Sequence, residues 1–284
     1  VIGAPNAWKN ISGWLNNIWK GFALVIFRNK YPNCLVLEVG ADHPNDIRNI
    51  AVWLKPDISI ITKVGATPVH VEFFKDIQAV NEEDKMLATY TKKDGVLVLN
   101  HDDKRILEIQ NEKPPQKIYT YGENHDATIF LSSPHLEYRE NKLVFSTGIT
   151  YNKQTFYKDI PGILAKTQLT AFLPGIMIGL HVGISLEELV SHIEQSQDTK
   201  GRLHPIQGIN DSLLIDDTYN SSPVAVENAL YVLSTIPESK RKIAVLGDML
   251  ELGTYTEQEH RKVGMYVSHY ADMLISVRSE EHTS

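Results

Sequence analysis

Short apolar runs alternate with helix-patterned segments along much of this chain, and that alternation fixes the fold class. CLVLEVG (34–40), ISIITKV (58–64) and GVLVLN (95–100) are rich in Val, Ile and Leu. Runs of that length without polar alternation read as strands buried on both faces, with Cys34 as an interior residue. Between them, DIRNIAVWL (46–54) and DIQAVNEEDKMLATY (76–90) carry helical spacing, and Asp46 is placed to cap or to favour a helix N-terminus. Strand–helix–strand repetition of this kind implies right-handed parallel units in a doubly wound α/β sheet.

The character changes over 117–158, where IYTYG, ATIFLSS, HLEYRE, KLVFSTG and QTFYKDI are separated by Gly, Asn and Ser. These predict a small antiparallel β annex on the first domain. A helix is expected over 164–180, kinked by Pro174, and another over 185–196, opened by a capping box of Ser185 and Glu188. QDTKGR (197–202) is polar and places a domain boundary. Beyond it, SLLIDD, PVAVENALYVLSTI, KIAVLGD, TEQEHRKVGMYVSHY and the buried strand ADMLISV form a second α/β unit. The expected domains are 1–196 and 197–277. RSEEHTS (278–284) lacks apolar periodicity, resembles translated sequencing-adapter read-through, and is set aside as an artefact.

With 284 residues and a net charge of -7, the chain is long enough for about two domains and ill-suited to a nucleic-acid-binding surface. The single cysteine excludes an internal disulfide and fits a reducing, cytoplasmic setting. No apolar run approaches the ~20 residues that span a bilayer, so no membrane insertion is expected. The sequence starts at Val1 without Met, and no G-x-x-x-x-G-K-[ST] phosphate loop occurs in it. Both features lead to the expectation of an enzyme fragment without productive ATP binding.

Glu38 ends the first apolar run, and ligands in open α/β sheets collect at the carboxyl ends of strands. A carboxylate there suits Mg²⁺ beside phosphates, or else caps or pairs within the fold. His70 follows the next run and falls on the same sheet edge. LLIDDTYNSSP (213–223) sets Asp216, Asp217 and Asn220 after another strand, and AVLGDMLELG (244–253) adds Asp248 and Glu251 as loop residues near a substrate. Asp216 and Asp217 could equally cap a turn, and Arg202 could be a linker salt bridge.

In order and spacing, LEVGADHPNDI, KPDISIITKVGATPVHVEFF, GVLVLNHDD, DDTYNSSP and LGDMLELG resemble the Mur ligase family, and within it the members that add D-alanyl-D-alanine. The resemblance implies a central ATP-binding domain followed by a Rossmann-like C-terminal domain, both truncated here. It implies ATP and Mg²⁺, a UDP-N-acetylmuramoyl-peptide and D-Ala-D-Ala as partners, a monomer, and amide-bond formation through an acyl phosphate in peptidoglycan synthesis. Glu38 and His70 match the Mg²⁺ site. Arg202 matches an arginine reaching the nucleotide, Asp217 the ribose-binding aspartate, and Gln168 the place of an asparagine at the adenine. Asn220, Ser221 and Ser222 match the region handling the incoming amine. The family's carbamoylated lysine falls on Asp84, with Lys85 next to it; either serves, or the sequence carries an error. Asn45 stands where a glycine is frequent. Alternatives are another amino-acid ligase of the superfamily, such as a cyanophycin synthetase-like one, or a loop-less homologue that binds without turnover.

Overall fold

The computed structural model describes residues 10–27, 32–41, 43–62, 74–139, 142–193, 200–236 and 241–277. The chain divides into two compact units, Val1–Val39 and Gly40–Ser284. Helix α1 (Ile11–Ile26) lies in the first, with Asn10 as N-cap accepting the Gly13 N–H. Trp14, Ile18, Trp19 and Phe22 on α1 are all exposed. The same unit corrects one expectation. Residues 32–39 form no strand, Leu35 and Val36 are exposed, and Cys34 is an exposed free thiol. An apolar run becomes a buried strand only when ladder partners and a cover complete it.

The second unit is built on a six-stranded sheet in the order β1 (Ile58–Ile61), β2 (Val96–Asn100), β3 (Lys117–Gly122), β4 (Ile129–Arg139), β5 (Lys142–Tyr151) and β6 (Gln154–Pro161). The first three pairings are parallel and the last two antiparallel. The antiparallel annex is β4 to β6, and IYTYG is not part of it. That run is β3, hydrogen-bonded along β2, and the antiparallel hairpins extend the same sheet. β3 joins β4 through a reciprocal lock in which the Thr120 N–H donates to Thr128 Oγ1 and the Thr128 N–H donates to Thr120 Oγ1.

β2 is the buried centre and shows why GVLVLN is apolar throughout. Val96 and Val98 face one core, with Ile129, Ile149, Leu169, Leu173 and Met177. Leu97 and Leu99 face the other, with Ile61, Ala88, Ile106 and Ile109. Helices cover both faces. α3 (Ile77–Tyr90) and α4 (Lys104–Asn111) lie on the second face; α5 (Lys166–Thr170), α6 (Leu173–His181) and α7 (Leu186–Ser191) lie on the first. α2 (Asp46–Leu54) packs against α3. The doubly wound expectation holds. Pro174 does not kink one helix: the helix is broken at Ala171 and Phe172, and Pro174 sits in the first turn of α6, where a missing N–H costs nothing. Ser185 Oγ accepts the Glu188 N–H at the head of α7, as the capping pattern predicts.

After residue 200 come β7 (His204–Gln207) and β8 (Leu213–Asp216), an antiparallel pair, then α8 (Pro223–Thr235), β9 (Ile243–Leu246), α9 (Thr256–Tyr270) and β10 (Met273–Ser276). β9 and β10 pair in parallel. ADMLISV is a strand as expected, but an exposed one: none of Met273–Ser276 joins the cluster that α8 and α9 build with Ala244 of β9. α1, α4 and β7 are additions to what the periodicity predicts. A hydrophobic cluster of Leu164, Ala165, Leu203 and Val232 joins the six-stranded sheet region to the C-terminal part.

Candidate functional site

The residues after the domain-boundary segment come together because β7 and β8 pair. His204 lies opposite Asp216, which brings the 201–203 turn against the DDTYN loop. Asp216 Oδ2 accepts the Gly201 N–H at 3.1 Å, while its Oδ1 accepts the Thr218 hydroxyl at 2.7 Å and the Thr218 N–H at 3.2 Å. The Thr218 hydroxyl, above all, holds the Asp216 carboxyl below its ordinary range. Asp217 Oδ1 accepts the Leu203 N–H at 3.0 Å. Its pKa is raised by burial, against the Leu203 N–H and Arg202, which pull it down. The Tyr219 N–H donates to the Gly201 carbonyl at 3.1 Å. Gly201 has φ +74, and a Cβ there would meet the Tyr219 nitrogen at 3.1 Å, so the turn needs glycine.

Arg202 is exposed, its guanidinium 4.2 Å from the centre of the exposed Tyr219 ring. It makes no ion pair among the described residues. A guanidinium stacked on an aromatic ring beside a half-buried carboxylate offers both a flat cationic surface and an oxygen acceptor. Sequence reasoning singles out Arg202 and Asp217 but passes over Tyr219, whose part shows only once the turn is folded.

Gln168 approaches the same turn from α5. Its Oε1 accepts the Leu164 and Ala165 N–H groups at 2.9 and 3.0 Å, and its Nε2 donates to the Arg202 carbonyl at 3.0 Å. Next to it, Thr167 Oγ1 accepts from Asn228 of α8 at 3.2 Å, and Lys166 pairs with Glu123 at 2.7 Å. Glu123 lies at the carboxyl edge of the sheet, where Asp102 accepts the Glu123 and Asn124 N–H groups. A Cβ on Gly122 would lie 2.5 Å from Asp102 Oδ2, so this edge too depends on a glycine.

The remaining predicted residues fall elsewhere. Ser222 is the N-cap of α8, accepting the Ala225 N–H; Asn220 Oδ1 accepts the Ser221 N–H, and Asn220 is exposed while Ser221 is half-buried. In the 247–252 loop, Met249 and Leu252 are buried anchors, and His260 Nε2 accepts the Met249 N–H at 3.1 Å. Its Nδ1 lies 2.8 Å from the Thr256 carbonyl, so both ring nitrogens are engaged in holding the loop. Asp248 is half-buried and Glu251 exposed on this loop. Glu38 is exposed, and His70 lies outside the described residues. Among the described residues no group of three or more His, Cys, Asp or Glu stands close enough to hold a metal ion. Glu38, the described member of the expected pair, carries the oxygen donors Mg²⁺ prefers.

Lys85 reaches toward α4, while Asp84 is half-buried and feels the charge of Arg105 there. Lys85 Nζ lies 3.5 Å from Glu82 and 3.8 Å from Glu108. Burial, then the neighbouring Glu83, raises the Asp84 pKa from 3.8 to about 6, against Arg105. The folded chain therefore holds this proton over the window from 3.8 to about 6, where the unfolded chain has released it. Stability falls as pH rises through that window, and above it the ionised group carries its full cost. Two pKa units correspond to ~3 kcal/mol, which solvent screening of a partly exposed group reduces to ~1–2. Asp84→Asn is expected to stabilise the chain by that amount at pH 7.5 and by nothing below pH 4. Urea unfolding of both proteins at the two pH values checks it, and an equal effect at both would refute the linkage.

With this geometry in place, the comparisons with known proteins are direct. The family description "Mur ligase middle domain" matches residues 18–162, and "Mur ligase, glutamate ligase domain" matches residues 201–284. The chain belongs to the Mur ligase family. The UDP-N-acetylmuramoyl-tripeptide–D-alanyl-D-alanine ligase of Escherichia coli K12 is 25% identical over 251 residues, covering 87% of this chain and 53% of that protein. The Bacillus subtilis ligase of the same name is 28% identical over 234 residues, covering 82% and 48%. The crystal structure of MurF from Acinetobacter baumannii superposes with a TM-score of 0.72 at 25% identity, covering 85% of this chain and 51% of that one. The chain thus spans about half the length of the curated Mur ligases it matches.

Proposed function

We propose that this chain is the central and C-terminal part of an ATP-dependent ligase that joins D-Ala-D-Ala to a UDP-N-acetylmuramoyl-tripeptide in peptidoglycan synthesis, acting in the cytoplasm as a monomer. One observation carries the reading beyond family membership: exposed Arg202 and Tyr219 and half-buried Asp217 form one corner, built by the turn that opens the second matched region. That corner is suited to a nucleotide. The guanidinium takes phosphate or stacks on a base, and Asp217, with Oδ1 engaged by the Leu203 N–H, presents its second oxygen to a ribose hydroxyl.

The proposed reaction is phosphorylation of the tripeptide's terminal carboxylate by ATP, followed by attack of the dipeptide amine and loss of phosphate. Mg²⁺ bound with ATP supplies charge neutralisation for the phosphoryl step. Glu38 and His70 are its proposed ligands, and Asp84 or Lys85 supports them. Lys85 is already committed to Glu82 and Glu108, which favours Asp84 as the carboxylate in that role. Asn220, Ser221 and Ser222 precede α8, and their exposed or half-buried polar groups are proposed to receive the incoming dipeptide. The names of the relatives, ligases acting on D-alanyl-D-alanine, support this choice over other members of the family.

The test is ADP release by the full open reading frame. ADP formed only when both UDP-N-acetylmuramoyl-tripeptide and D-Ala-D-Ala are present upholds the proposal. Release with a different amino acid in place of the dipeptide moves the chain to another branch of the family. Nucleotide binding with no turnover on any acceptor identifies a non-catalytic homologue.

A further inference from the structure

We propose that Gln168 is a positioning residue that straps the Arg202 turn to the head of α5, so that the sheet region and the nucleotide-facing corner hold one orientation. The inference rests on the reading of Arg202 as a nucleotide-binding residue only for its functional consequence; the strap itself stands on geometry.

The sequence leaves α5 without an N-cap of its own, because Ala165 has no side-chain acceptor. Gln168 folds back to fill that place. Its Oε1 takes the Leu164 and Ala165 N–H groups, and these two bonds use both lone pairs of the carbonyl oxygen. Pinned at the oxygen, the amide plane aims its nitrogen at the Arg202 carbonyl, 34 positions along the chain. Among the described residues, the other hydrogen bonds of the Arg202 turn come from its C-terminal side. Asp216 takes the Gly201 N–H, Tyr219 donates to the Gly201 carbonyl, and Asp217 takes the Leu203 N–H. Gln168 adds a bond at the central peptide, and does so from across the boundary. Leu203, packed with Leu164, Ala165 and Val232, closes the same junction with apolar contact. With its oxygen and one N–H engaged, the amide keeps one N–H for any ligand, so its main effect on a nucleotide runs through Arg202.

Only a carboxamide of this length both accepts and donates here, and that separates the two halves of the role. Gln168→Glu keeps the acceptor for Leu164 and Ala165 but loses the donor to Arg202. Gln168→Ala loses both. Amide hydrogen exchange resolved by residue on this chain gives the readout. In Gln168→Glu, the Gly201, Leu203 and Tyr219 amides are expected to exchange roughly fivefold faster, the factor for a neutral hydrogen bond of ~1 kcal/mol, while Leu164 and Ala165 keep their protection. In Gln168→Ala both groups accelerate. Unchanged rates at Gly201, Leu203 and Tyr219 in both variants would overturn the strap. In the full open reading frame, Gln168→Glu is expected to raise KM for ATP with a smaller change in kcat. Faster exchange at the turn with an unchanged KM would uphold the strap and reject Arg202 as a nucleotide residue.

Discussion

Replacing Glu83 with alanine is expected to destabilise the chain by about 2–3 kcal/mol, more than its place on a surface helix would lead one to expect. Glu83 is on α3, yet it is buried, and its two oxygens accept the Asn45 N–H at 3.0 Å and the Arg48 N–H at 3.1 Å. Those donors open α2. Asn45, the N-cap residue, sits in the left-handed region with φ 72 and gives no side-chain cap. Asparagine, like glycine, tolerates that backbone. The cap that α2 lacks locally is thus delivered by a carboxylate 38 positions later, which also meets the positive end of the helix dipole. Two charge-assisted bonds are worth more than this in isolation, but deletion also recovers the desolvation of the carboxylate. It removes a neighbour that raises the Asp84 pKa as well. Glu83→Gln keeps the shape and turns an amide donor toward backbone N–H groups, so it should rescue less than half of the loss. Urea unfolding measures both variants. A change below ~0.5 kcal/mol for Glu83→Ala would show that α2 is held by packing alone.

Adjacent carboxylates on one helix thus carry opposite signs: Glu83 stabilises through partners, and Asp84 costs stability because burial outweighs Arg105. Neither sign is legible in NEEDK. Periodicity placed α3, because a helix announces its buried face through spacing within a window of residues. A carboxylate that caps a different helix depends on tertiary approach. The same limit explains residues 34–40. Their composition is as strand-like as that of β2, but β2 is buried between two neighbours and these residues, half-buried Val39 apart, are exposed. Composition reports willingness to be covered, not whether a cover is present. Arg202 and Asp217 were singled out by motif, and pairing of β7 with β8 brings the two together. Gln168 was singled out with them, but the backbone partners that engage most of its amide were not legible.

Glu38→Ala is expected to lower turnover of the full open reading frame by at least ~10²-fold, the scale of losing one electrostatic stabiliser, with stability unchanged within ~0.5 kcal/mol. The two halves of that expectation come from different observations. Glu38 lies among residues without regular structure, its side chain is exposed, and it has no hydrogen bond or ion pair among the described residues. Removing it strips nothing from the fold. A carboxylate proposed to hold Mg²⁺ beside ATP would help place the metal and stabilise the charge that moves during phosphoryl transfer, so its loss would appear in the rate. Glu38→Gln keeps the volume and one oxygen but not the charge, and it should fall nearly as far as alanine. His70→Ala, at the other residue proposed for the same ion, is expected to lose turnover on the same scale. Steady-state ADP release measured beside urea unfolding separates the possibilities. Wild-type turnover in Glu38→Ala removes the metal assignment. Turnover that falls only in proportion to lost stability makes Glu38 a structural residue. A hundredfold loss with an unchanged unfolding curve leaves the carboxylate acting on the reaction itself.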